Sequence, residues 1–224
     1  MNVRLITHTP EPDRVCAAAA LGCYSRKSSY EIYAGLSARK VRSILKKTVG
    51  RGHHSVIEHA SFTFSISGVS RALTHQLVRH RMASYSQQSQ RYVRMNAPEY
   101  IIPPSISKNT KTLFEYKKHM QDSWNLYTVL VESGVPEEDA RYVLPNSAET
   151  KITVTMNARE LIGFFRLRLC MHSQWEIRKL AALMLKEVKK AAPAIFSSVS
   201  PPCRDCPEKD DKCPRRRRLS SRLK

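Results

Sequence analysis

Cationic and amide side chains are concentrated in one short segment of this 224-residue chain, RHRMASYSQQSQR at residues 79–91. Arg79, His80 and Arg81 open the segment, and Ser89 and Arg91 follow after seven further residues. The planar fork of an arginine makes bidentate contacts to phosphate or to a pyrimidine edge. No Asp or Glu lies between residues 73 and 97, so the charge has no local compensation. This pattern is typical of an anion-binding site, or else of a basic surface loop that contacts RNA.

A second segment with chemical potential is Asn157-Ala-Arg-Glu160, which follows a predicted strand. Asn157 at the N-cap and Glu160 three residues later would bind free amides at a helix start, as in a variant of the capping box. The same helix start, with Arg159 beside it, would also attract an anion. Arg166 and Arg168 lie further along among apolar residues, where an arginine needs a partner.

Two groups of residues could bind zinc. The segment HHSVIEH at residues 53–59 has histidines and a glutamate, but its spacing differs from H-E-x-x-H, so hydrogen bonds among these residues or to a ligand are the better interpretation. Cys203, Cys206 and Cys213 form C-x2-C-x6-C without a nearby fourth Cys or His. The six cysteines do not form the pattern of a secreted disulfide framework, and we expect reduced thiols and no metal.

Composition restricts the partners to anions. The chain has 38 Lys and Arg against 19 Asp and Glu, a net charge of +19, which suits nucleotides, phosphorylated cofactors or nucleic acid. The N-terminus lacks the apolar core of a signal peptide, and no stretch approaches the roughly 20 apolar residues of a membrane span. We therefore expect a soluble cytoplasmic protein, most of it in one domain.

The elements that must position these segments follow from periodicity. Apolar spacing predicts helices over residues 14–21, 37–49, 108–133, 137–143, 158–172 and 175–192. Alternation predicts strands at residues 61–67, ended by Gly68, and at 151–156. Ser70 is a predicted N-cap for a helix whose end carries Arg79, and residues 83–91 are predicted to form a polar loop. This mixture indicates an α+β fold, with a central, mostly antiparallel sheet flanked by long helices.

The composition changes after residue 192. Residues 193–224 are rich in Pro, Cys and Arg and end near the run Arg215 to Arg218. We expect one domain over residues 1–192 and a mobile tail over 193–224. The basic run could bind polyanions, guide assembly or keep the chain in solution.

Taken together, the blocks resemble the flavin-dependent thymidylate synthases. The motif Arg79-His80-Arg81-x7-Ser89-x-Arg91-Tyr92 is preceded by GHHSVIEHASFTF and followed by ESGVPEEDARYVLP, NAREL and HSQWEIR. The resemblance extends over about residues 5–192, and the five blocks occur in the family's order. The Cys- and Arg-rich tail lies outside it.

The resemblance implies a homotetramer of α+β subunits whose active sites, shared between chains, hold FAD, dUMP and a folate. Such an enzyme methylates dUMP to dTMP in de novo dTMP biosynthesis. Its carbon donor is methylenetetrahydrofolate, which is released as tetrahydrofolate, and NADPH is the reductant through the flavin. By motif match, the flavin set is Ser55, Arg79, His80, Arg81, Gln87, Asn157, Arg159, Gly163 and His172. The dUMP set is Gln76, Arg79, Gln87, Gln88, Ser89, Gln90, Arg91, Arg141 and Arg168.

The resemblance also implies how uracil is activated. No cysteine lies in the motif blocks and Ser89 has no adjacent base in its segment, so a covalent nucleophile lacks a candidate. Arg168 would instead stabilise negative charge at N3 and O2 of the ring, which raises electron density at C5, and Ser89 would bind substrate. Some members of the family have an acid in place of Gln87 and Asn in place of Gly163.

Two other classes of function stay open at this stage. The net charge and the basic tail suit a nucleic-acid-binding protein, although no known RNA or DNA module is visible. The histidines of residues 53–59 would suit a zinc-dependent hydrolase, which would have to contain stoichiometric metal.

Overall fold

The computed structural model describes residues 1–203 together with Cys206 and Cys213. The chain is divided into two compact units. Unit 1 comprises residues 1–2, 66–79 and 85–153, and unit 2 comprises residues 3–65, 80–84 and the part of the chain from residue 154 onward. The predicted boundary between a domain of residues 1–192 and a tail stays a prediction, and the run Arg215 to Arg218 lies outside the described residues.

Four strands form one small antiparallel sheet in the order β1-β2-β4-β3. The strands are β1 Asn2–His8, β2 Ser61–Ser70, β3 Ala83–Gln87 and β4 Glu149–Asn157. The alternation that predicted β2 and β4 is visible in their burial: Phe62 and Phe64 are fully buried in β2, as is Val154 in β4. With the helices described next, this sheet confirms the α+β class.

Two predictions about strands are wrong. Strand β2 does not end at Gly68 but continues to Ser70, with Gly68 at φ 68°. A Cβ at this position would lie 2.7 Å from the backbone nitrogen of Met1, so only glycine fits. The segment predicted as a polar loop contains β3, and Gln88 N–H just beyond it donates to Lys151 O at 2.9 Å. Pairing with β4 outweighs the polar composition of β3, because strand formation depends on neighbours more than on intrinsic propensity.

Helices make up most of the remaining described chain. They are α1 Pro12–Gly22, α2 Ser29–Gly35, α3 Ala38–Gly50, α4 Arg71–Leu77, α5 Pro104–Ser107, α6 Thr110–Glu132, α7 Glu137–Ala140, α8 Ala158–Arg168, α9 Trp175–Ala191 and α10 Pro193–Phe196. Short 3₁₀ helices cover Ser55–His59 and Arg141–Val143. In the described part of the chain, no helix has both the length and the apolar character that a membrane crossing requires.

Unit 1 has its core around the long helix α6. Trp124 and Tyr127 are buried there together with Met95, Ala140 and Ala148. The Tyr127 hydroxyl accepts a hydrogen bond from the backbone N–H of Met95 at 3.3 Å. This bond ties Met95, four residues after the end of the cationic segment, to the buried ring of Tyr127 in α6.

Unit 2 is built on contacts of α1 with α2 and α3, of α8 with α9, and of α10 with α3 and α9. Helix α8 ends at Arg168, four residues before the predicted end at 172, and a turn follows it. Phe196 of α10 is fully buried and its ring lies edge-on to Phe62, with 5.5 Å between centroids.

The packed structure therefore continues past residue 192, where the sequence predicted a mobile tail. Ile195 and Phe196 supply the apolar anchors, and both are buried. The carboxylate of Asp13 accepts hydrogen bonds from the N–H groups of Ala194 and Ile195, at 2.8 and 3.1 Å. These contacts hold α10 against α1, which a reading of composition alone could not reveal.

Candidate functional site

The start of α8 follows β4 without a loop, and Asn157 is its N-cap. The Asn157 Oδ1 accepts from Glu160 N–H at 2.9 Å, which confirms the predicted cap. The second half of the predicted capping box is wrong, because the Glu160 carboxylate lies beside His80 instead, with 3.4 Å between its Oε1 and His80 Nδ1. The helix start is thereby joined to the arginine-rich segment.

His80 is buried at the centre of a small polar cluster in unit 2. Its Nε2 accepts a hydrogen bond from the Arg168 Nε–H at 3.0 Å, and the Phe164 ring stands edge-on to its imidazole, with 4.9 Å between centroids. Burial, and next the positive charge of Arg168, lower the pKa of His80 to about 4. These two effects outweigh the carboxylate of Glu160 at 3.4 Å, so the imidazole is neutral at pH 7.

Arg159 lies on the exposed side of the same helix start. Its guanidinium donates to the carboxylate of Glu58, which belongs to the 3₁₀ helix Ser55–His59. Both partners remain open to solvent, with 57% and 44% of their side chains exposed. An exposed pair of this kind contributes little to stability, so Arg159 can exchange Glu58 for a phosphate at small cost.

The histidine-rich segment does not assemble a metal site. Across residues 1–203, Cys206 and Cys213, no group of three or more His, Cys, Asp or Glu side chains could hold a metal ion. His54 Nε2 lies 3.3 Å from Val49 O, and Glu58 is engaged by Arg159. This part of the chain therefore gives the zinc hydrolase hypothesis no geometric support.

Gln87 is held inside unit 1 by two threonines. Its Nε2 donates to Thr74 Oγ1 at 3.2 Å and to Thr150 Oγ1 at 3.3 Å, which joins the end of β3 to α4 and β4. Both amide donors are used within the unit, so the carbonyl oxygen Oε1 is the atom left for a ligand. A carboxylate at this position would have no N–H groups to donate to Thr74 and Thr150. The glutamine therefore matches these two threonines.

The residues after Gln87 form a turn with internal hydrogen bonds. Ser89 Oγ accepts from the backbone N–H of Arg91 at 3.2 Å. The Arg91 side chain donates through Nε to Glu138 Oε2 at 2.7 Å, and Gln90 is buried with its Nε2 unpaired. A buried amide donor without a partner is a position that a ligand acceptor can satisfy.

Arg71, at the start of α4, was missed by the sequence analysis. Its Nη1 is buried and has no hydrogen-bond partner. Burial, and next the like charge of Arg141, lower the pKa of the Arg71 guanidinium. Two cations whose charges repel one another, one of them with a buried donor unpaired, form a natural site for an anion such as a phosphate.

A signal for Arg71 was present in the sequence. The predicted N-cap Ser70 is confirmed, since its Oγ accepts from Leu73 N–H at 3.0 Å, and Arg71 is therefore the first residue of the helix. A cation at this end opposes the helix dipole, which favours negative charge there. An arginine in an unfavourable position indicates an anionic partner.

The two predicted ligand sets separate between the two units. Eight of the nine residues of the dUMP set lie in unit 1, and Arg168 is the exception. Seven of the nine residues of the flavin set lie in unit 2, and Arg79 and Gln87 are the exceptions. The exposed members of the flavin set in unit 2 are Ser55, Arg81, Arg159, Gly163 and His172.

At three of these positions the structure shows no feature that requires a ligand. A Cβ on Gly163 would meet no atom within 4 Å, so the helix does not require glycine there. Gln76 donates through Nε2 to Ala72 O at 3.4 Å, and Gln88 is half-buried. Direct ligand contacts at these three positions stay predictions, as they do at the other residues of the two sets.

The comparisons with known proteins agree with one another. A family described as thymidylate synthase complementing protein matches residues 4–194 of this chain. A flavin-dependent thymidylate synthase from Geobacter sulfurreducens is 52% identical over 212 residues, covering 93% of this chain and 91% of the relative. The protein of the same description from Clostridium tetani is 48% identical over 226 residues, again covering 93% and 91%.

A solved structure shares the fold. The UMP/dUMP methylase PolB from Streptomyces cacaoi, crystallised with 5-Br dUMP, superposes with a TM-score of 0.77. The superposition covers 88% of this chain and 93% of that one at 23% sequence identity.

Proposed function

Since the chain belongs to the thymidylate synthase complementing protein family, we propose a mechanism by which its residues carry out flavin-dependent synthesis of dTMP. The chain is an enzyme, and its activity is that of a flavin-dependent thymidylate synthase. The single structural observation that supports our account best is the buried, unpaired donor of Arg71 beside Arg141, because it lies in the unit that holds most of the predicted dUMP residues.

The complete reaction in this proposal is the reductive methylation of dUMP. Methylenetetrahydrofolate gives the one-carbon unit and leaves as tetrahydrofolate, and NADPH reduces FAD. The protein works as a cytoplasmic homotetramer, as the resemblance implies. Residues of the flavin and dUMP sets then need not come from one chain, since each site is shared between subunits.

The phosphate of dUMP is bound by arginines of unit 1. Arg71 and Arg141 lie where their charges repel one another, and a phosphate would satisfy the buried, unpaired Nη1 of Arg71. Arg91 is held by Glu138, whose backbone oxygen also accepts from Arg141 Nε at 2.9 Å. Glu138 therefore binds the Nε–H groups of both Arg91 and Arg141. The terminal N–H groups of these two guanidiniums remain for the substrate.

The exposed cations of unit 2 fit a flavin dinucleotide. Arg159 and Arg81 are exposed and offer positive charge to the pyrophosphate. Ser55 lies on the 3₁₀ helix Ser55–His59, whose Glu58 contacts Arg159 when no pyrophosphate is bound. When bound, FAD supplies the hydride chemistry that no side chain of this protein can provide.

Activation of the uracil ring falls to Arg168, because no cysteine lies in the motif blocks of the family and the buried Cys16 is a poor nucleophile. Burial raises the pKa of the Cys16 thiol to about 12, so it stays protonated and is a weak nucleophile. Arg168 keeps its charge and is held by His80. Placed at N3 and O2 of uracil, its N–H groups stabilise the negative charge that develops as C5 attacks the one-carbon unit.

The test is a spectroscopic one. Purified protein is incubated with FAD, separated from excess and reduced with NADPH without oxygen. We expect the flavin absorbance to bleach and to return only when dUMP and methylenetetrahydrofolate are both added, with dTMP formed in equal amount. Protein that retains no flavin, or that reoxidises it without forming dTMP, would contradict the proposal. A test of the predicted pyrophosphate contact is Arg159→Ala, which we expect to retain less FAD.

A further inference from the structure

Glu160, His80 and Arg168 form a continuous polar chain within unit 2. Glu160 Oε1 lies 3.4 Å from His80 Nδ1, and Arg168 Nε lies 3.0 Å from His80 Nε2. Glu160, Phe164 and Arg168 are spaced at i, i+4 and i+8 along α8, so they share one face of that helix. The imidazole occupies the space between the two charged residues of this face.

The chemistry of the groups determines where the imidazole proton lies. A guanidinium Nε–H can only donate, so His80 Nε2 must present a lone pair to Arg168. A neutral imidazole with a free Nε2 lone pair carries its proton on Nδ1. That proton is on the side of the ring that faces the carboxylate of Glu160.

We infer that Glu160 is a positioning residue for the reaction: its carboxylate keeps the His80 proton on Nδ1, so that His80 Nε2 accepts from Arg168 and orients the guanidinium towards the uracil ring. Nothing in the resemblance assigns a role to Glu160. The inference rests on the proposed role of Arg168 for its catalytic part, whereas the tautomer of His80 stands on geometry alone.

Loss of the carboxylate would remove this preference. With the proton on Nε2, an N–H of His80 would face the N–H of Arg168, and the two donors would repel one another. The guanidinium would then rotate away from its observed direction. A displacement of about 1 Å in a group that stabilises a transition state can reduce turnover by as much as about 10²-fold.

The first experiment reads the tautomer directly. Nitrogen NMR of flavin-loaded enzyme labelled with ¹⁵N-histidine distinguishes a protonated from an unprotonated Nδ1, and the His80 signal is assigned by its loss in His80→Gln. We expect the Nδ1–H form in the wild type and in Glu160→Gln, whose amide oxygen still accepts. In Glu160→Ala we expect a shift towards the Nε2–H form. Nε2–H in the wild type, or no change in Glu160→Ala, would overturn the inference.

The second experiment is a double-mutant cycle on dTMP formation. We expect Glu160→Ala to lower kcat about tenfold or more when it is assayed at saturating FAD, and Glu160→Gln to restore most of it. Combined with Arg168→Ala, Glu160→Ala should add little further loss, because it acts through Arg168. Independent, multiplying losses would contradict a positioning role.

A matched control separates this role from helix stability. Glu31 occupies the same N3 position in α2, where its carboxylate accepts from Ser28 N–H at 2.8 Å. We expect Glu31→Ala to leave kcat unchanged, and an equal loss in both variants would overturn the inference. Wild-type enzyme that binds no flavin or forms no dTMP would instead defeat the proposed function, and the tautomer would still be read on the protein without flavin.

Discussion

At the residue scale, the arginines divide into those with partners and those that require one. Arg91 and Arg159 have carboxylate partners, Glu138 and Glu58, whereas Arg71 has a buried Nη1 with none. A buried N–H of a guanidinium without a partner costs free energy in the protein without ligand. A site that keeps such a donor has given up stability for binding, and a substitution at Arg71 separates these two properties.

We expect Arg71→Met to weaken dUMP binding by about tenfold or more, the effect of losing a charge-assisted hydrogen bond. Because the methionine removes a buried charge, the ligand-free variant should unfold at the same temperature as the wild type or higher. Calorimetry with dUMP and thermal unfolding without it measure the two effects. A variant that is less stable while binding dUMP normally would show that Arg71 is structural.

We expect Arg168→Ala to fold and retain FAD but to lose turnover by about 10²-fold or more, the scale of removing one group that stabilises transition-state charge. Steady-state rates of dTMP formation provide the measurement. The control is Arg166→Ala, an exposed arginine two residues away on the same helix. Turnover of Arg168→Ala within a few fold of wild type would remove this residue from the mechanism.

At the scale of elements, α10 depends on Asp13. Its carboxylate binds the first free N–H groups of α10, and burial raises its pKa, opposed by those two hydrogen bonds. We expect Asp13→Ala to lower the free energy of unfolding by about 1–2 kcal/mol at pH 7, the usual effect of losing a helix cap. Urea unfolding followed by circular dichroism measures this loss, and no change would show that α10 is held by its apolar side chains alone.

The same carboxyl group predicts a dependence on pH. Because the pKa of Asp13 is raised in the folded state, folding takes up a proton at this site. The wild type should therefore gain stability relative to Asp13→Asn as the pH falls from 7 through the folded-state pKa. Urea unfolding of both proteins at pH 7 and at a pH below 3.8, the ordinary pKa of this carboxyl group, measures the difference, and the opposite sign would contradict the burial of this group.

At the scale of the whole molecule, we expect the charged residues at the C-terminus to be unnecessary for activity. Residues 204–224 contribute nine Lys and Arg against four Asp and Glu, and the family match ends at residue 194. We expect a chain truncated after Cys203 to keep the oligomeric state of the full chain by light scattering, to retain FAD and to form dTMP at the wild-type rate. Any salt-sensitive retention of RNA by the full chain should decrease on truncation. A change of oligomeric state on truncation would assign the tail to assembly.

Periodicity predicted much of the secondary structure because the relevant information is local. Strands β2 and β4 and helices α3, α6 and α9 follow from alternation and apolar spacing, with ends set by Ser37, Asn109 and other caps. Strand β3 was missed because its polar residues SYSQ gain their order from β4, a partner distant in sequence. Helix α10 was missed because its anchor, Asp13, lies near the other end of the chain.

The sequence by itself determined the family and the identity of the charged segments, because motif residues and their spacing are read along one dimension. Only the tertiary structure showed that Glu160 lies beside His80 and that Arg71 has a buried, unpaired donor. Folding brings Glu160 and His80 together and places the Arg71 donor out of reach of water. Burial strengthens electrostatic interactions because it excludes water. The direction of a hydrogen bond and the absence of one are properties of three-dimensional positions, which composition and periodicity do not contain.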